Sequence, residues 1–162
     1  MTKEIESNED IIDTLDLVAR IEDLEGEQEG LQSAVEEATE ELEKVPLGEE
    51  INSELKEAKA AAELALAEWN SENLEELTEL KELAKACEYS PDFHHGEQII
   101  NDNYFATYIE RLIDDCYDMP KEMNSNNWPW RHMTLDLAAA AEEAKSDYTD
   151  VYYYGNLYWI RS

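Results

Sequence analysis

The chain has 162 residues, of which 41 are Asp or Glu and 12 are Lys or Arg, giving a formal net charge of −29. A surface of that sign repels nucleic acid and anionic membranes and leaves basic protein surfaces as the favoured partners; solubility alone would be met by a net charge of magnitude roughly 2–8. Disorder is excluded too: 43% of the residues are hydrophobic, 15 are aromatic and nine are Gly or Pro, enough apolar surface to offset the entropy of ordering a core at this length.

Residues 1–10 are polar and acidic without an apolar h-region, so they are expected to form a flexible N-terminus of a protein that is not exported. No run approaches the roughly 18 apolar residues that a membrane span needs. Residues 11–88 are predicted to form a long acidic antiparallel coiled-coil helical hairpin. Leu17, Leu24, Leu31, Ala38 and Val45 recur every seven residues, and Ile21, Gln28, Val35 and Leu42 fill the offset of four, which is a heptad seam with one polar interruption at Gln28. Pro46-Leu47-Gly48 breaks the helix, and Ile51, Leu55, Ala58, Ala62, Ala65 and Trp69 restart it in the reverse direction. Leu77, Leu80, Ala84 and Cys87 then form a stripe that either continues the second helix or follows a turn after Asn70.

Trp69 is the only aromatic residue before position 89, so a boundary is indicated near Tyr89-Ser90-Pro91 and residues 89–162 read as a small aromatic-rich α+β module. Asp102 is expected to cap a helix from Asn103 to about Tyr117 that buries Phe105, Ile109, Leu112 and Cys116. After the loop Asn124-Ser125-Asn126-Asn127 and the stiff Trp128-Pro129-Trp130, Thr134 is expected to cap a helix reaching Lys145. Residues 150–154 and 157–161 flank Gly155-Asn156, a two-residue β-hairpin signal. The fold class is therefore mainly α, of α+β type, with a C-terminal β-hairpin.

The acids look selected. On the first helix the outward positions hold Glu22, Asp23, Glu29, Glu36, Glu37, Glu40 and Glu43, with Glu25 beside them; the second carries Glu50, Glu54, Glu57, Glu68, Glu72, Glu75, Glu76 and Glu79. Eight like-charged pairs stand four residues apart between positions 20 and 80, from Asp23 and Glu27 to Glu75 and Glu79, at a cost of roughly 2–4 kcal/mol at low salt. A helix from Ile11 to Val45 would be roughly 50 Å long. With 24 acids and six bases in residues 11–88, the hairpin would carry about one net charge per 3 Å, against roughly one per 1.7 Å of duplex DNA. Such a rod fits the basic cleft of a DNA-binding protein, its carboxylates standing in for phosphates.

The stretch from Leu135 to Ala140, Ser146-Asp147-Tyr148-Thr149-Asp150-Val151, and the closing Tyr154-Gly155-Asn156-Leu157-Tyr158-Trp159-Ile160-Arg161 resemble the end of phage- and plasmid-borne antirestriction proteins of the ArdA type. The likeness covers about residues 97–161. It implies an acidic DNA mimic acting in the bacterial host cytoplasm on a restriction enzyme, a CRISPR effector or a regulator, all of which present basic clefts. The long acidic hairpin departs from that family's pattern.

Cys87, His94, His95 and Cys116 are of zinc-ligating type but lack finger spacing. Cys87 and Cys116 are expected to be reduced thiols. No Gly-rich phosphate loop, nucleophile elbow or H-E-x-x-H motif is present, so neither metal nor cofactor is expected and the chain does not read as an enzyme. Strand alternation puts Tyr152, Tyr154, Leu157 and Trp159 on one face of the hairpin and Val151, Tyr153, Tyr158 and Ile160 on the other. Tyr152, Tyr154 and Trp159 are the aromatic candidates for a homodimer or target interface. The alternative to mimicry is a coiled-coil scaffold or assembly protein of a phage or mobile element.

Overall fold

The computed structural model describes residues 2–45 and 49–162, apart from the side chains at 49–52 and 124. Among the described residues, four α-helices and one four-stranded antiparallel sheet divide into two compact units. The first comprises Met1–Glu4 and Asp16–Ala84, the second Ile5–Leu15 and Lys85–Ser162.

The first unit is built on α1 (Thr14–Lys44) and α2 (Glu49–Cys87). Along α1 the heptad positions from Leu17 to Leu42 are all buried or half-buried, while Glu22, Asp23, Gly26, Glu29 and Gly30 between them are exposed. Leu17, Leu24, Leu77, Leu80 and Leu83 are buried almost completely, whereas Leu31, Val35 and Leu42 are only half-covered. Cross-helix partners fall in opposite order along the two chains. The Arg20 guanidinium donates twice to the Glu76 carboxylate, at 2.8 and 3.0 Å, and Gln28 Nε2 donates to Asn70 Oδ1 at 3.0 Å. The two helices therefore run antiparallel, and the polar residue in the apolar seam meets an amide partner, the arrangement that pins register in paired helices.

Helix α2 runs through Asn70 without a turn. Its inward stripe differs from the expected one: Ala58 is exposed, and Lys59 and Leu66 are half-buried instead. The stripe advances by alternating steps of four and three through Leu55, Lys59, Ala62, Leu66, Trp69 and Asn73, so the aliphatic stem of Lys59 covers the seam while its ammonium stays near Glu63. The expected break at Pro46-Leu47-Gly48 and the side chain of Ile51 lie outside the described residues.

The second unit is a sheet in the order β1 (Ile11–Asp13), β2 (Gln98–Asn101), β4 (Asn156–Arg161), β3 (Tyr148–Tyr153). Registers Ile12 to Ile99, Ile99 to Ile160 and Val151 to Tyr158 put Ile12, Ile99, Ile160, Val151, Tyr158 and Tyr153 on one face, all buried. Ile100 and Trp159 lie on the opposite face and pack with Phe105, Ile109 and Ala141 from α3 (Asp102–Cys116) and α4 (Leu137–Ala144).

The N-terminal residues, expected to be loose, are tied to the hairpin. Tyr153 Oη donates to the Ile5 carbonyl at 3.1 Å, Asn156 Nδ2 to that of Ser7 at 2.7 Å, and Tyr158 Oη lies 3.1 Å from the carbonyls of both Ser7 and Glu9. Ile5 is buried. Thr14, where β1 passes into α1, is fully buried with its hydroxyl satisfied twice: it donates to the Phe93 carbonyl at 2.7 Å and accepts from the Glu97 N–H at 2.8 Å.

Three caps and turns fall beside their expected places. Asn101, not Asp102, caps α3, its side chain accepting from the Asn103 N–H. Asp136, not Thr134, caps α4 through the Ala139 N–H at 3.0 Å. The β3–β4 loop is Tyr154-Gly155, one residue earlier than Gly155-Asn156, with φ of +47° and +74°. Two successive left-handed residues make the mirror-image turn that matches strand twist. On α3, Leu112 and Cys116 are exposed rather than buried.

Candidate functional site

The candidate surface is assembled by the helical periodicity itself. With apolar residues at every third and fourth position committed to the seam, the acids between them are left facing water. Glu22, Asp23, Glu29, Glu36, Glu37, Glu40 and Glu43 are all exposed on α1, and Glu54, Glu57, Glu68, Glu72 and Glu75 are exposed on α2. The 31 residues of α1 and 39 of α2 correspond to lengths of about 46 and 58 Å. The side chain of Glu50 lies outside the described residues.

Three of the expected acids are not free solvent-facing charges. Glu76 is held by Arg20, both side chains less than a fifth exposed; its hydrogen bond is the main cause that raises the guanidinium pKa against the opposing effect of burial. Glu25 is half-buried and pairs with Lys81 at 2.6 Å. Glu79 is half-buried. Asp23 remains exposed and accepts from the Thr2 hydroxyl at 2.7 Å and the Thr2 N–H at 3.2 Å, and these bonds hold its carboxyl below the ordinary aspartate range.

Glu27, Glu41 and Glu82 are exposed as well, beside the acids expected to form the surface. Glu27 and Glu41 flank the apolar seam, where partial cover is the usual outcome, and only the open edge of a two-helix pair exposes them. Glu27 also accepts from Trp69 Nε1 at 3.0 Å, which fixes the indole across the helices. Two further ion pairs of this unit, Lys44 with Glu40 and Lys59 with Glu63, are surface pairs four residues apart, each worth a few tenths of a kcal/mol. With 24 acids against six bases in residues 11–88, internal pairing leaves most of the negative charge uncompensated.

The aromatic candidates separate. Tyr152 is 60% exposed and Tyr154 38%. Trp159 instead lies half-buried on the helix-covered face, where its Nε1–H donates to Asp102 Oδ1 at 2.7 Å and the Lys145 ammonium sits 5.0 Å from its ring centre. It therefore belongs to the core and not to an exposed patch. Cys87 is buried, which pushes its thiol up to about 12, while Cys116 is exposed.

Among the described residues, no helix is long and apolar enough to cross a membrane. No protein-family model, curated protein or solved structure matches the chain.

Proposed function

We propose that the chain is a non-enzymatic DNA mimic, in which α1 and α2 form an acidic coiled-coil hairpin that occupies the basic DNA-binding cleft of a bacterial defence or DNA-processing protein. The observation that carries this reading is the row of exposed acids from Glu22 to Glu43 on α1 and from Glu54 to Glu75 on α2, uncompensated by the few lysines and arginines among them. A helix kept merely soluble would interleave the two signs and avoid like charges four residues apart. Carboxylates on such a surface would release the same counterions from a cationic groove that phosphates release. The resemblance of about residues 97–161 to antirestriction proteins supports the same class of target: a restriction enzyme, a CRISPR effector or a regulator in the host cytoplasm.

The test is competition. The protein, immobilised and exposed to a bacterial lysate, should retain a basic DNA-binding protein that duplex DNA elutes. Retention should weaken steeply between about 50 and 200 mM salt. Replacing Glu22, Glu29, Glu36, Glu40 and Glu43 together by Lys should abolish retention with the helical content intact. If that variant still captures the same protein, or if DNA fails to elute it, the mimic reading is wrong.

A scaffold is the second reading, favoured by the half-covered Leu31, Val35 and Leu42 and by exposed Leu64 and Leu74, an apolar edge on which a further copy could pack. Sedimentation distinguishes the two, because a scaffold self-associates without any DNA-binding target.

A further inference from the structure

The sequence pattern aims four residues of α3 at a core, yet only Phe105 and Ile109 reach it. Leu112 and Cys116, at the same helical spacing, line an open cavity of about 420 Å³ in the second unit, a size within the range of small-molecule sites. Ile109 and Leu112 supply apolar surface, and Tyr108 and Tyr148 line the cavity beside them. The cavity thus has an apolar side that nothing in its own unit fills.

Its polar side carries two opposite charges that do not pair. Arg161 stands directly across from Tyr148 in the β3–β4 register, and Asp147 precedes Tyr148. Both line the cavity. Neither side chain has an ion-pair partner among the described residues. Both side chains are exposed, and Arg161 shares with Arg111 and Arg131 the lack of a carboxylate partner among the described residues. The last turn of α3 also borders the cavity, through Cys116 and Tyr117.

We propose that this cavity binds a small zwitterion with a large apolar body, of the class of free aromatic or branched α-amino acids, with its carboxylate at Arg161, its ammonium at Asp147 and its side chain against Leu112 and Ile109. A simple anion would satisfy Arg161 but face Asp147, and a simple cation would do the reverse. One cation and one anion beside an apolar side are complementary to a molecule that carries both charges next to a hydrocarbon group. The site is independent of the acidic helices and of the function proposed for them.

Cys116 provides the readout, because it borders the cavity and is exposed while Cys87 is buried. The rate at which a thiol reagent labels Cys116 in the full chain is followed during titration with phenylalanine, with 3-phenylpropanoate and with 2-phenylethylamine. Phenylalanine should slow labelling saturably with a Kd on the order of 1 mM or tighter, as expected for about a dozen non-hydrogen atoms. The two singly charged analogues should bind at least about tenfold more weakly, and R161Q and D147N should each weaken phenylalanine by about tenfold, the effect of losing one charged contact. L112W, which fills the cavity from an already exposed position, should remove the protection without lowering the unfolding midpoint. The proposal is overturned if no probe slows labelling, if all three probes act equally, or if R161Q and D147N bind phenylalanine as the parent does.

Discussion

Asp102 is expected to be the most sensitive carboxylate in the second unit, because one of its oxygens serves two donors at once. Oδ1 accepts from Trp159 Nε1 at 2.7 Å and from Lys145 Nζ at 2.9 Å. Replacement by Ala leaves the half-buried indole N–H without an acceptor, at about 1–3 kcal/mol. The Lys145 contribution is smaller, since this ammonium keeps Glu142 at 2.8 Å and a partly exposed pair is worth about 0–1 kcal/mol. D102A should therefore cost about 2–3 kcal/mol, a drop in Tm of roughly 8–24 °C for a unit of this size. D102N keeps a neutral acceptor for the indole and should cost about 1 kcal/mol. The sign with pH follows from the carboxyl lying below its ordinary value, held there first by the hydrogen bond from Lys145 and then by that from Trp159. Stabilisation by the charge is complete above about pH 4 and is lost as pH falls through the lower folded value, so the difference between D102N and the parent should close in acid. Denaturant titrations followed by near-ultraviolet circular dichroism are suited to the question, since all but one of the aromatics follow residue 88. A D102A protein within about 0.5 kcal/mol of the parent, or a D102N deficit that does not change down to pH ~2.5, would refute the account.

Three further outcomes follow from the same structure. Gly155, at φ +74°, should lose about 1 kcal/mol on replacement by Ala; because a Cβ there would meet no atom within 4 Å, that loss measures backbone conformation alone. Y154N, at φ +47°, should stabilise slightly, since Asn tolerates the left-handed region better than Tyr. A neutral G155A by thermal unfolding would contradict the turn geometry. Raising ionic strength from about 0.01 to 0.5 M shortens the screening length several-fold and should stabilise α1 and α2 by roughly 1–3 kcal/mol through relief of like-charged pairs. Helical ellipticity at equal denaturant, compared at the two salt concentrations, checks this, and a flat or falling response would show that the acids are already neutralised internally.

The seam of α1 was legible because its heptad pattern is set by one physical requirement, the burial of a stripe, which no other interaction opposes. On α2 the same pattern was misread by one position around Ala58 and Lys59, since an amphipathic lysine stem covers a seam as well as an alanine does and periodicity in an alanine-rich stretch is weakly marked. The strands Ile11–Asp13 and Gln98–Asn101 escaped notice for a different reason: each is a short apolar run whose partner lies far away in sequence, so neither carries a local signal. The caps at Asn101 and Asp136 competed with Asp102 and Thr134, residues of equal capping ability a position or two away, and only the packed position of the helix decides between them. Alternation along the hairpin placed its residues on the correct faces, but could not tell that Trp159 would be claimed by Asp102 and Lys145. The cavity beside Leu112 was invisible in principle, because a periodic apolar residue reads as core whether or not anything fills the space before it.

The pairing of Ile12 with Ile99 means that both long helices interrupt what would otherwise be a simple two-strand connection. Along the chain they lie between two paired strands, and the sheet needs from them only that their two ends return to adjacent strands. Adding or deleting seven residues from each helix would preserve phase along the seam, while loop-closure entropy changes by well under 1 kcal/mol. The helices can therefore lengthen or shorten in steps of about 10 Å without rebuilding the sheet, an adjustable ruler whose span can track whatever surface it is selected against.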